Sequence, residues 1–254
     1  MVKNLSFVTL LAYDYKSAFQ AIKSYYKFAD EIILGIDKDY ISWAGNSFHF
    51  NEAEFKKFIK KIDVEKKIKI IRANFHNMAS PIKNDTSERN FLSLKCKPDN
   101  WIIQIDADEI LLNPEEFVSW LKNVPSGFVI KASWITVFKC FENSPDCLVI
   151  DNSEQAFVGT KKQNIYTVCR ETNEPQLKSP LKMLHFSWGR KRDELKQKLD
   201  NWSHSRDFNT KAYLKFWDNV NLKNYKTFKN IHPINGPVWP ELKIANINKL
   251  LRIS

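Results

Sequence analysis

The sequence predicts an α/β protein in which a mostly parallel sheet carries helices on both faces. Three observations lead there: continuous apolar runs of strand length, helical-period segments alternating with them, and an apolar fraction of 43% with 13% aromatic residues, which fits a folded chain. A chain of 254 residues can also bury a substantial core. Leu5 to Leu11 reads as the first strand, Phe19, Ile22, Tyr25 and Tyr26 recur at helical spacing, and Glu31 to Ile36 reads as the second strand, together a βαβ unit. Asn51 with Glu54 three residues on resembles a capping box opening a helix whose Phe55, Phe58, Ile59 and Ile62 share one face, and Lys67 to Ala73 follows as a strand. Asp85 and Thr86 are expected to start a short helix carrying Phe91 and Leu94, which delivers the chain to the strand Trp101 to Ile105. Asn113-Pro114 opens a further helix with Phe117, Trp120 and Leu121, and Val129 to Phe138 reads as another strand. Beyond it, Leu195, Leu199 and Trp202 form an apolar stripe, Tyr213, Phe216 and Trp217 another, and Asn230 to Leu242 is a proline-punctuated strap. The division expected is a main unit over 1–205 and a helix and strap over 206–254 packed on the same domain.

Composition excludes several classes. The apolar run at the N-terminus is too short for a membrane span and has no small-residue cleavage site, so it reads as the first strand of a cytoplasmic protein. Cys96, Cys140, Cys147 and Cys169 form no C-x-x-C pair, and reduced, packed thiols are expected in place of a zinc knuckle or a disulfide framework. The net charge of +10 and the lysines from Lys56 to Lys67 invite a nucleic-acid reading, yet acids interrupt that run. No dedicated nucleic-acid partner is expected; peripheral attraction to an anionic membrane surface, or to a phosphorylated ligand, fits better.

The stretch "WIIQIDADEILL" (Trp101 to Leu112) ends a buried apolar run in three carboxylates, Asp106, Asp108 and Glu109. Clustered anions repel and lose solvation beside apolar walls, so a cation is expected among them. In open parallel sheets ligands bind outside the carboxyl ends of the strands, which is where Asp106 falls. Hard oxygen ligands so close together suit Mg²⁺ or Mn²⁺. The alternative is that these acids cap the helix that follows.

"DNWIIQIDADEIL" resembles the Asp-x-Asp segment of glycosyltransferases of the GT-A fold, especially the family-2-like enzymes that build bacterial surface polysaccharide and lipopolysaccharide. "SERNF" (Ser87 to Phe91) resembles the Arg-Asn element such enzymes carry before the metal motif, and "MLHFSWGRKRDELKQKLDNWSHS" (Met183 to Ser205) resembles their His-containing segment after the sheet. The resemblance covers about residues 4 to 205 as a spaced pattern of several elements. It implies a GT-A-like, Rossmann-like sheet and metal-dependent transfer of a sugar from a nucleotide-diphosphate sugar to a glycan or lipid-linked acceptor.

By that similarity, Asp108 is the leading metal ligand, Asp106 contacts ribose or metal, and His185 completes the coordination or touches the diphosphate. The turn of Ala12, Tyr13 and Asp14 after the first strand, and Asp37 at the end of the second with Asp39 nearby, resemble the places where the family holds the base and ribose. Arg89 would grip diphosphate oxygens in a fork that lysine cannot reproduce, or else pair with Glu88 or Asp106. Arg190 and Lys191 would cover the diphosphate from a flexible loop. For the base that takes the acceptor proton, Asp151 and Glu154 are preferred among the acids of their region, while Glu109 reaches toward the acceptor or braces the segment. A nucleotidyltransferase is the second enzyme reading, although the glycine-rich phosphate loop it needs is missing from a chain with six glycines. A noncatalytic carbohydrate- or nucleic-acid-binding module is the third reading, and it would need no carboxylate cluster.

Overall fold

The computed structural model describes residues 4–142, 144–151 and 154–251. The chain is a mixed α/β protein whose first half alternates strands β1 (Leu5–Leu11), β2 (Glu31–Asp37), β3 (Ile68–Ala73) and β4 (Trp101–Gln104) with helices α1 (Ala18–Tyr25), α2 (Glu52–Ile62) and α3 (Pro81–Ser93). The second half contains β5 (Glu109–Leu111), α4 (Pro114–Leu121), β6 (Val129–Cys140), β7 (Asp146–Ile150), β8 (Gln155–Thr160) and β9 (Gln176–His185). After these come α5 (Arg192–Asn201), α6 (Thr210–Asn219), β10 (Lys243–Asn246) and α7 (Ile247–Leu251). Among the described residues no helix is long and apolar enough to cross a membrane.

The strands β3, β2, β1 and β4 lie side by side in that order and pair in parallel. The sheet then continues through β8, β6, β7 and β10, whose pairings along this path are antiparallel. β9 runs parallel to β6 and also takes β5 antiparallel, with Glu109 opposite His185. This last register sets the acidic end of the β4 segment beside the end of β9.

Both faces of the parallel half are covered, which is why its inner strands read as unbroken apolar runs. Leu5, Phe7 and Leu11 of β1 pack with Ala21, Ile22 and Tyr25 of α1 and with Phe55 of α2, while Val8 and Leu10 meet Leu92 of α3 on the other face. α2 opens as expected, its Asn51 side chain accepting from the Glu54 N–H at 3.0 Å. α3 begins earlier than the expected Asp85: Ser80 caps it, accepting from the Lys83 N–H at 3.3 Å, and Pro81 occupies the first turn. The Ser-Pro pair was the stronger start signal, and Asp85 is left as a mid-helix residue facing Arg89.

The C-terminal region forms its own apolar cluster on the same sheet, joining Phe138, Leu148 and Ile150 to Trp188, Leu199, Trp217 and Trp239. α5, expected within the main unit, packs in this second cluster. The thiols depart from expectation. Cys140 and Cys147 face each other across the β6–β7 ladder, with Cα atoms 4.3 Å apart, and are joined by a disulfide. Cys96 and Cys169 are free. The expectation of reduced thiols failed because the short β6–β7 hairpin carries no glycine turn signal, so the strand pairing that aligns the two cysteines was not legible.

Gly35 of β2 sets how closely α3 approaches. A Cβ there would sit 2.4 Å from Leu92 Cδ1 and 2.8 Å from Glu88 Oε1. Gly35→Ala should therefore push α3 outward and lower stability by about 1–3 kcal/mol, read as a reduced midpoint in urea unfolding.

Candidate functional site

A cleft of about 350 Å³ lies at the carboxyl ends of β1 and β4, lined in part by Tyr13, Asp14, Arg89, Asp106, Asp108 and His185. β1 and β4 are parallel neighbours. The order β3, β2, β1, β4 places the connections of β1 and β4 on opposite sides, and such a reversal leaves a crevice at the strand ends.

The carboxylates that follow β4 each meet cations of the chain. Arg89, from α3, donates from Nη1 to Asp106 Oδ1 at 2.8 Å and from Nε to Asp85 at 2.6 Å. Glu88, the other partner considered for it, instead accepts from the Trp43 indole at 2.7 Å, and burial pushes its carboxyl up to about 8. Arg170, from the turn between β8 and β9, makes two bonds to Glu109, at 2.9 and 2.7 Å, and lies 3.6 Å from Asp106. Glu109 is fully buried; it also accepts from the Trp134 indole at 2.8 Å and from the Asp106 N–H at 2.8 Å. It braces the segment from beneath the cleft and does not line it.

Asp108 gathers a second set. Arg190 Nη2 bridges Asp108 Oδ2 at 2.5 Å and Asp14 at 2.9 Å, and Lys198 Nζ donates to Asp108 at 3.3 Å and to Ser187 Oγ at 2.9 Å. Burial works against the ionised Asp108, but Lys198 and Arg190 outweigh it and hold the carboxyl well below the usual range. Burial likewise opposes ionisation of Asp106, and Arg170 and Arg89 hold it down at about 2. Asp14 is raised by burial in spite of Arg190. Burial also lowers Lys198 and His185, so the imidazole is neutral at pH 7.

The expected metal trio divides. Asp106 is committed to Arg89 through both oxygens. Asp108 Oδ1 and His185 Nε2 face each other at 3.8 Å, too far for a hydrogen bond and within the ~4.2 Å that two ligands of one ion at about 2.1 Å can span. His185 stacks on Trp134 with ring centroids 4.5 Å apart, and its buried Nδ1 has no hydrogen-bond partner among the described residues. Asp108 and His185 therefore fit a divalent cation as a pair, with Asp106 turned away. Among the described residues, the three metal-capable side chains whose ligand atoms lie within 4.8 Å of one another are Asp37, Asp39 and His76, and this group could hold an ion. Asp37 there also ties its loops together, accepting from the Asp39, Ile41 and Phe75 N–H groups.

The remaining expected residues separate clearly. Tyr13 and Glu154 line the cleft, whereas Ala12 and Asp37 border a smaller void beside it. Asp151 and Lys191 are exposed and do not line the cleft. Arg190 does not belong to a loose loop: a Cβ on Gly189 would fall 2.4 Å from Val137, and the Trp188 N–H donates to the Val137 carbonyl at 3.2 Å. Sequence reasoning missed Arg170 and Lys198. Lys198 carried a signal, since it occupies an apolar-stripe position among Leu195, Leu199 and Trp202, where a lysine must find a buried partner. Arg170 carried none, because a turn residue declares nothing of the acid it will meet.

Two outcomes follow from this ionic network. Arg170→Met strands the buried Glu109 charge and should cost about 3–5 kcal/mol in urea unfolding, most of which the Arg170→Met/Glu109→Met pair should restore. Asp106, depressed in the folded state, contributes stability that is fully present above about pH 4 and lost as pH falls toward 2. Asp106→Asn should thus be less stable at pH 7 and show a flatter acid limb when unfolding is measured from pH 6 to 2.

Comparison with protein-family models gives no match for this chain, and comparison with curated protein sequences gives none either.

Proposed function

We propose that the protein is a glycosyltransferase that moves a sugar from a nucleotide-diphosphate sugar to a glycan or lipid-linked acceptor. The observation that carries this reading is the carboxylate pair Asp106 and Asp108 after β4, set in a cleft with the buried cations Arg89, Arg170 and Lys198 on its wall. The strand order, with the crevice at its reversal, and the likeness of "DADE" to the Asp-x-Asp segment support the same reading.

In this proposal Arg89, Arg170 and Lys198, which line the cleft, offer N–H donors to the diphosphate, whose charge grows on the leaving group as the glycosidic bond breaks, while Arg190, outside the lining, balances Asp14 and Asp108. Asp108 and His185 would hold Mn²⁺ or Mg²⁺; an imidazole with a carboxylate favours Mn²⁺ of the two. When bound, that ion supplies Lewis-acid neutralisation of the diphosphate. Tyr13 and Asp14 close the cleft at the β1 end, where the nucleoside would lie. Glu154 is the base that accepts the proton of the attacking hydroxyl. It lines the cleft, and burial raises its carboxyl above the ordinary value, bringing its basicity closer to neutral pH. The exposed lysines of α2, Lys56, Lys57, Lys60 and Lys61, suit contact with an anionic membrane surface where a lipid-linked acceptor would be presented.

The deciding experiment is a screen of nucleotide sugars for thermal stabilisation and hydrolysis, with Mn²⁺ and with EDTA. A nucleoside diphosphate should raise Tm only with the divalent cation present, because it otherwise adds negative charge beside Asp108. Equal stabilisation in EDTA would point to a transferase whose cleft cations Arg89, Arg170 and Lys198 hold the diphosphate unaided. No stabilisation by any nucleotide would remove the reading.

Asp108→Asn keeps the size of the side chain and removes the charge. Metal-supported transfer should fall by on the order of 100-fold or more, measured as kcat with saturating donor.

A further inference from the structure

Trp239 stands 85 residues from Glu154 in sequence, in the C-terminal strap, and its indole Nε1 donates to Glu154 Oε2 at 2.7 Å. The indole is 4% exposed and is held edge-on between Trp188, with centroids 6.4 Å apart, and His232, at 4.6 Å. It cannot turn without disturbing the aromatic cluster that unites α5, α6 and the strap. On its main chain, Glu154 is fixed separately, its carbonyl accepting from the Trp134 N–H at 2.8 Å, and β8 starts at the next residue. Glu154 is thus gripped at carbonyl and carboxylate from two different elements, and it lines the cleft that Trp239 does not reach.

We propose that Trp239 is a positioning residue: its indole N–H aims the Glu154 carboxylate at the acceptor hydroxyl, which makes the C-terminal strap a working part of the site. This rests on the reading of Glu154 as the base of a sugar transfer. The chemistry is specific to an N–H donor. A hydrogen bond to the ionised carboxylate fixes its direction and favours the charged form, opposing the burial that favours the neutral one. A ring that served only as packing would do neither. The charged and titratable groups that share the cleft wall with Glu154 are Lys131 from β6, Arg170 and Glu171 from the connection after β8, Lys198 and His204 from α5 and the turn beyond it, and the Asp14, Asp85, Arg89, Asp106, Asp108 and His185 network. His232 packs directly on Trp239, and Lys198 and His204 meet the same aromatic cluster through Trp202.

Trp239→Phe keeps an aromatic ring in the cluster and removes the donor. The Glu154 carboxyl, assigned by its loss in Glu154→Gln, is titrated by ¹³C NMR in both backgrounds, and kcat and donor KM are followed against pH. Loss of the bond should raise the Glu154 pKa by about one unit. The acid limb of kcat should move up by the same amount, so that kcat on that limb falls about tenfold while donor KM stays within about twofold. Should the variant fail to fold, the wild-type Trp239 indole N–H resonance serves instead: it should shift with the Glu154 titration and lose that dependence in Glu154→Gln. A folded Trp239→Phe with titration and kcat profile unmoved, or an indole resonance blind to Glu154, overturns the positioning role alone. Glu154→Gln transferring sugar at the wild-type rate overturns the role of Glu154 and the positioning role with it.

Discussion

Charge can be buried at the end of β4 only because every carboxylate there meets a guanidinium or an ammonium. Asp85 and Asp106 share Arg89, Glu109 takes Arg170, and Asp14 and Asp108 share Arg190, with Lys198 also on Asp108. Removing any one partner would leave a charge in a low-dielectric setting, where the penalty is several kcal/mol. The surrounding architecture answers to that requirement. α3 has to lie close enough on β2 for Arg89 to reach across, which Gly35 permits, and β9 has to end level with Glu109, which the β5–β9 register ensures.

The same pairing explains why the acids serve different ends although they stand side by side in sequence. Glu109 is sunk under the segment and spends both oxygens on Arg170, Trp134 and the Asp106 N–H. Asp106 is turned onto Arg89. Asp108 alone has an oxygen facing a neutral imidazole. A turn separates these fates: the Glu109 N–H donates to the Asp106 carbonyl at 3.0 Å between β4 and β5, and the backbone bond from Phe186 to the Asp108 carbonyl locks the arrangement.

Much of the fold was legible in the sequence because the parallel half depends on local signals. The runs Leu5 to Leu11 and Glu31 to Ile36, and the Asn51 cap, each declare their structure within a few residues. The acidic segment was legible for the opposite reason, since its cost in an apolar setting demands an explanation. What could not be read was long-range pairing. The antiparallel half is set by registers between distant strands, and neither the partner of Arg170 nor the meeting of Cys140 with Cys147 is written in neighbouring residues. Lys198 lies between these cases: its place in an apolar stripe announced a buried cation, while the identity of its anion awaited the tertiary structure.

The bond between Arg190 and Asp14 spans 176 positions of the chain, and that between Lys198 and Asp108 spans 90. Contacts so remote in sequence carry the largest loop-closure entropy and form late, after the local βαβ units have condensed. The cleft is therefore among the last parts of the molecule to take shape. A chain still emerging during synthesis, or stalled with only its parallel half folded, would present Asp14 and Asp108 without Arg190 and Lys198, while Asp106 already has Arg89 of α3. The half-made protein thus has the acids Asp14 and Asp108 but not the site.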